Sequence, residues 1–106
     1  PTDADLWNPL EWKGKILVSA PEREAYERLL KTGLIDTWSL GLHAAQTYSW
    51  WDYRMSAFEQ NHGLRIDHLL ASASVGQAVE NVWIDTAPRA LEKPSDHAPV
   101  VMRLDW

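Results

Sequence analysis

Gly63-Leu64-Arg65-Ile66-Asp67-His68-Leu69-Leu70-Ala71 is the stretch on which the fold is read. From Arg65 onward the pattern alternates: Arg65 and Asp67 fall on one side of an extended segment, and Ile66, His68 and Leu70 on the other. That period predicts a strand over Arg65–Ala71. Working outward, Tyr48-Ser49-Trp50-Trp51 has the composition of a second strand, and residues 52–63 read as a long connecting loop. Val79–Ile84 and Val100–Leu104 supply two more strands. Between them, residues 85–99 carry Pro88, Pro94 and Pro99, which no central strand accommodates, so this loop belongs at a sheet end. Upstream, Ser19-Ala20-Pro21-Glu22 forms a capping box that starts a helix at Ala20. Tyr26, Leu29 and Leu30 make its apolar stripe, and Gly33 is placed to end it in a left-handed cap. Leu34–Trp38 suits a turn, a short helix or a strand equally. Residues 1–18, interrupted by Pro1, Asn8, Pro9 and Gly14, read as a surface segment.

The chain has 106 residues, enough for one domain, and its 45% hydrophobic and 24% charged content is that of a folded globular protein. A net charge of -5 and a pI near 5.2 exclude a charge-driven nucleic-acid coat, so any DNA contact must be local. The absence of Cys excludes disulfides and thiolate metal sites and permits a reducing cytoplasm, the expected location. No apolar run is long enough to cross a bilayer, and the acidic opening is unlike a secretory signal, so no membrane partner is expected. One good helix and four strands give an α/β (α+β) domain with helix on one sheet face and an apolar face left over. Such a face implies self-association or membership of something larger.

Three clusters can carry chemistry. In Ser95-Asp96-His97-Ala98-Pro99 an imidazole and a carboxylate meet at a loop-to-strand junction, which suits proton transfer near neutral pH and equally suits a surface turn. Asp67 is a carboxylate within an apolar strand and needs a partner; an Arg65–Asp67 ion pair on a solvated face is the plain alternative to a functional role. Trp50 and Trp51 point to opposite sides, so one is core and at most one faces a ligand; Arg54 follows nearby, and aromatic-plus-guanidinium sets can stack on bases or sugars and hold a phosphate. Asp3 and Asp5 suit a solvated turn better than a metal, and His43, His62, His68 and His97 lack zinc-site spacing. The seven Trp residues also fit a carbohydrate-binding module, a non-catalytic reading that leaves Asp67, Asp96 and His97 unused.

Taken together and in this order, YSWWDYR (48–54), NHGLRIDHLLAS (61–72) and EKPSDHAPV (92–100) resemble the exonuclease III family of metal-dependent DNA-repair nucleases. PTDADLWNP (1–9) and EREAYERLLKTGLIDTW (22–38) extend the resemblance over nearly the whole chain. It implies the endonuclease/exonuclease/phosphatase fold, a four-layer α/β/β/α sandwich with mostly antiparallel sheets. It also implies incision at abasic sites and 3′-to-5′ removal of nucleotides from duplex DNA, assisted by Mg²⁺ or Mn²⁺. Another phosphodiesterase of the same superfamily is the near alternative.

Carried over by position, His97 resembles the catalytic His at the scissile phosphate and Asp67 the carboxylate that orients it. Asp96 resembles the metal-proximal Asp, with Asp96 and His97 together at the metal. Trp50 resembles the wall of the abasic-sugar pocket, and Arg54, Leu64 and Arg65 occupy positions that approach DNA. The family's Gly-Asp-x-Asn segment, its main metal-binding Glu, its active-site Asn and Tyr and its partner sheet are not matched. Residues 1–106 therefore resemble the C-terminal half of the domain. The expected partners are duplex DNA with abasic sites or 3′ ends, and an N-terminal half or a second copy covering the open sheet. The chain by itself is expected not to cleave.

Overall fold

Glu22 closes the capping box: its Oε2 accepts from the Ser19 N–H at 3.0 Å and the Ser19 hydroxyl at 2.6 Å, and its Oε1 accepts from the Leu17 N–H at 2.9 Å. The helix begins at Ala20 as expected, and Gly33 beyond its end takes φ 103°, a left-handed value that glycine adopts without strain. In the computed structural model, which describes residues 1–105, the elements follow in order. They are a 3₁₀ turn Asp3–Asp5, α1 (Pro9–Trp12), α2 (Ala20–Lys31), β1 (Ile35–Asp36), a 3₁₀ turn Thr37–Leu40, β2 (Leu70–Ala71), α3 (Ala73–Gly76), β3 (Val79–Ile84), a 3₁₀ turn Ala87–Ala90 and β4 (Val100–Leu104).

β3 and β4 form with the expected bounds and pair antiparallel, with Trp83 opposite Val101 and an irregularity between Val79 and Asn81. β1 and β2 pair antiparallel through Ile35–Ala71 and Asp36–Leu70. The remaining pairing is by single antiparallel bridges, Leu64 to Leu6, Leu64 to Trp50 and Trp50 to His97.

Three expectations are corrected. Residues 48–51 are limited to the single bridges at Trp50, and residues 65–69 form no ladder strand, since the Ser49 hydroxyl takes the N–H groups of Ile66 and Asp67 that a ladder would need. With the alternation lost, Arg65 and His68, expected on opposite faces, come within 3.3 Å. Residues 1–18 are not a surface segment throughout, since Leu6 and Val18 are buried with Leu64. Helix α2 buries none of its residues; it is tied down by Tyr26, whose hydroxyl donates to Asp36, and by Arg23, which forks onto Asp3.

Trp51 is the core member of the Trp pair, packed with Tyr48, Ala57 and Ala98, and its Nε1–H donates to Asn61 at 3.1 Å. Gly63 passes so close that a Cβ there would sit 2.6 Å from Trp51 Nε1 and 2.7 Å from Tyr48 Cβ. No helix among the described residues is long and apolar enough to cross a membrane.

Candidate active site

The site is assembled by the short segment Ser49-Trp50-Trp51, which lies between two others. On one side Trp50 and Leu64 exchange N–H to carbonyl bonds of 3.0 and 2.9 Å. On the other, the Ala98 N–H donates to Ser49 O at 2.8 Å and the Trp51 N–H to Asp96 O at 3.1 Å. Two loops distant in sequence are thereby held edge to edge.

The consequence is a meeting of Asp67 and His97, 30 residues apart, with His97 Nδ1 2.8 Å from Asp67 Oδ2. A carboxylate can only accept, so Nδ1 carries a hydrogen, and in the neutral form of the ring the lone pair lies on Nε2. Nε2 lies 3.9 Å from Asp96 Oδ1, while the other oxygen of Asp96 accepts the indole N–H of Trp50 at 3.1 Å. All three polar side chains remain open to solvent, His97 at 43%, Asp67 at 36% and Asp96 at 38%. With Leu69, Pro88, Ser95 and Pro99 the His97–Asp67 pair lines one hollow. Trp50, set edge-on to Trp12 with ring centres 5.9 Å apart, lines a second with Trp7, Arg54 and His62.

Arg54 is 84% exposed and forks onto Asp52 at 2.8 Å and 3.1 Å. Those hydrogen bonds, with the Arg54 backbone N–H, pull the Asp52 carboxyl down to about 2.

Two residues expected to approach DNA do not face solvent. Leu64 is 0% exposed, being packed with Leu6 and Val18 beneath Trp50. Arg65 is buried, and its partner is not Asp67: its guanidinium reaches Asp5 at 2.7 Å and Asp36 at 3.2 Å, which leaves no free fork for a phosphate. Burial works against the Asp36 charge, but hydrogen bonds from His68 and Tyr26, the Arg65 charge and the Trp38 N–H outweigh it and hold this carboxyl well below its usual range. His68 is a packed member of this cluster, its Nδ1 facing both Arg65 and Asp36.

Among the described residues no group of three His, Cys, Asp or Glu side chains is arranged to hold a metal ion. Asp96 and His97 offer one oxygen and one nitrogen, short of the oxygen-rich shell that Mg²⁺ or Mn²⁺ takes. Sequence reading missed Ser49 and Asp36, and it put Asp5 in a solvated turn, whereas Asp5 is buried against Arg65. Only the placement of Ser49, a small hydroxyl residue inside an aromatic run, hinted at a role.

The sequence matches the Endonuclease/Exonuclease/phosphatase family over residues 19–97. It is 41% identical to exodeoxyribonuclease III of Haemophilus influenzae over 94% of this chain and 40% of that protein. The fold aligns with the 3′ phosphatase NExo from Neisseria, bound to a product DNA hairpin, at a TM-score of 0.95 and 43% identity, covering 100% of this chain and 41% of that one. It also aligns with an AP endonuclease from Archaeoglobus fulgidus at a TM-score of 0.93 and 31% identity, covering 100% of this chain and 42% of that one. The chain thus spans about 40% of the length of the curated relative.

Proposed function

We propose, from the premise that this chain belongs to the Endonuclease/Exonuclease/phosphatase family, that it supplies the imidazole-bearing side of a DNA phosphodiester-hydrolysing centre, acting at abasic sites or 3′ ends. The observation that carries this reading is the 2.8 Å contact between His97 Nδ1 and Asp67 Oδ2, which leaves Nε2 facing solvent beside Asp96. Asp67 fixes the ring's orientation and tautomer. A phosphate oxygen placed at Nε2 would receive a hydrogen bond from the protonated ring as charge develops on it.

Asp96 holds the Trp50 indole through its Oδ2, so the aromatic wall and the imidazole are set relative to each other by adjacent residues. Trp50 is the surface against which an extruded sugar would pack, and Arg54, which lines the same hollow and is exposed, can hold a phosphate by exchanging its surface pair with Asp52. A bound divalent ion would supply charge stabilisation at the phosphate. The described residues do not build that ion's site, and the chemistry assigned to this chain is that of its imidazole and carboxylates.

The reading extends to assembly. The chain alone does not cleave DNA; it acts with a further body of protein, an N-terminal half or a second copy, set against the apolar sheet face expected from the sequence. The test is complementation. With Mg²⁺ and an abasic or 3′-recessed duplex, the 106-residue chain is inactive by itself. Mixed with the complementary portion of the Haemophilus influenzae relative, it cleaves. Cleavage that persists in His97→Ala overturns the role of the imidazole, and cleavage by the chain alone overturns the assembly.

A further inference from the structure

We propose that Ser49 is the positioning residue of the Asp67–His97 pair, acting through its side-chain hydroxyl. This rests on the reading of that pair given above. Ser49 is 0% exposed and touches both arms of the site. Its carbonyl accepts from the Ala98 N–H at 2.8 Å, next to His97, and its N–H donates to Leu64 O at 3.0 Å. Any residue at this position makes those two backbone bonds. The hydroxyl adds contacts that need a side-chain oxygen: Oγ accepts from the Ile66 N–H at 3.0 Å and from the Asp67 N–H at 3.2 Å.

Two consecutive N–H groups converging on one buried oxygen bend the chain at Asp67 and bring its carboxylate back toward His97. The same two bonds end the strand pattern that the sequence predicts here. Without the hydroxyl, two part-buried N–H groups lose their acceptor, and the chain must move to find water or another oxygen. Asp67 then leaves the 2.8 Å contact with His97. The imidazole keeps its place, which the backbone bond at Ala98 secures, but nothing fixes its tautomer.

Substituting Ser49→Ala removes the hydroxyl, and Ser49→Cys keeps a similar volume while replacing it with a weak acceptor. The measurements are nitrogen-15 NMR spectra of the His97 ring, which report its tautomer, and amide hydrogen exchange along the 106-residue chain. In the unsubstituted chain the neutral ring carries its hydrogen on Nδ1. In both variants that preference is lost, and the Ile66 and Asp67 amides exchange about tenfold faster or more while those of β3 and β4 stay within about twofold.

Retention of the Nδ1 tautomer and slow exchange in Ser49→Ala overturns the proposal. Retention in Ser49→Cys alone overturns it as well, because volume rather than hydrogen bonding would then hold the pair. So does equal acceleration in β3 and β4, which would mark a general loss of structure. None of these readouts uses DNA, so the proposal can fail while the nuclease reading stands, and the reverse.

Discussion

Arg65 and Asp67 are two residues apart in one short stretch, and they have opposite fates. Arg65 turns inward, its side chain 10% exposed between Asp5 and Asp36, with Tyr26 and His68 closing the cluster. Asp67 turns outward to a single partner, His97, with both side chains more than a third open to water. The difference separates two uses of charge. In the first cluster each ion is deprived of water and must be matched by neighbours, so the cluster locks the 3₁₀ turn Asp3–Asp5, helix α2 and strand β1 onto one point. In the second, water remains at hand and the contact adds little stability, which leaves the imidazole accessible for the role proposed above.

The largest effect that would break this contrast is at Arg65. Arg65→Met leaves Asp5 and Asp36 buried without their cation and should cost about 3–5 kcal/mol, read by urea unfolding. A loss as small as that of a surface substitution would mean the cluster is not the lock described. His97→Ala should do the reverse: unfolding shifts by no more than about 0.5 kcal/mol, while cleavage in the complemented assay falls by roughly 10² to 10⁴-fold. A large stability loss here would make the pair structural and erase the distinction.

The pH dependence sharpens the same point. Asp36 is held below the usual carboxylate range in the folded chain, so its contribution is fully present above the unfolded value, near 4, and is lost as the pH falls toward the folded one. Unfolding followed from neutral to strongly acidic pH should show that decline, and Asp36→Asn should flatten it. An unchanged acid slope in the variant would assign the effect to other carboxyls. The smallest effect belongs to Arg54, whose pair with Asp52 is exposed. Arg54→Ala should leave the urea unfolding midpoint unchanged and reduce the salt dependence of DNA binding by about one unit of slope. A salt slope equal to that of the unsubstituted protein would remove Arg54 from the interface.

Legibility differed along the chain for reasons that can be named. Helix α2 was readable because Ser19, Glu22 and Gly33 act within a turn or two of themselves, and β3 and β4 because they are Val-bearing strands of six and five residues that pair with each other across one Pro-marked loop. The stretch at 65–69 was misread because alternation assumes a ladder on both sides, and here a side-chain hydroxyl from residue 49 took the place of one. Arg65 was assigned to DNA and to Asp67 because its true partners, Asp5 and Asp36, are 60 and 29 residues away and carry no local signal. The motif blocks pointed to Asp67, Asp96 and His97, but their order alone did not show that Asp96 ties the indole of Trp50.

The sequence by itself determined the family, the helix with its caps, the β3–β4 strands and the identity of the groups able to move a proton. Those properties depend on residue types and on spacings of a few positions. The resemblance already paired Asp67 with His97; only the tertiary structure decided that this pair stays open to water while Asp5 and Asp36 are buried beneath the Arg65 guanidinium. That choice rests on how much water each group keeps, and the amount of water is set by chain segments tens of residues apart closing over one cluster and leaving the other open.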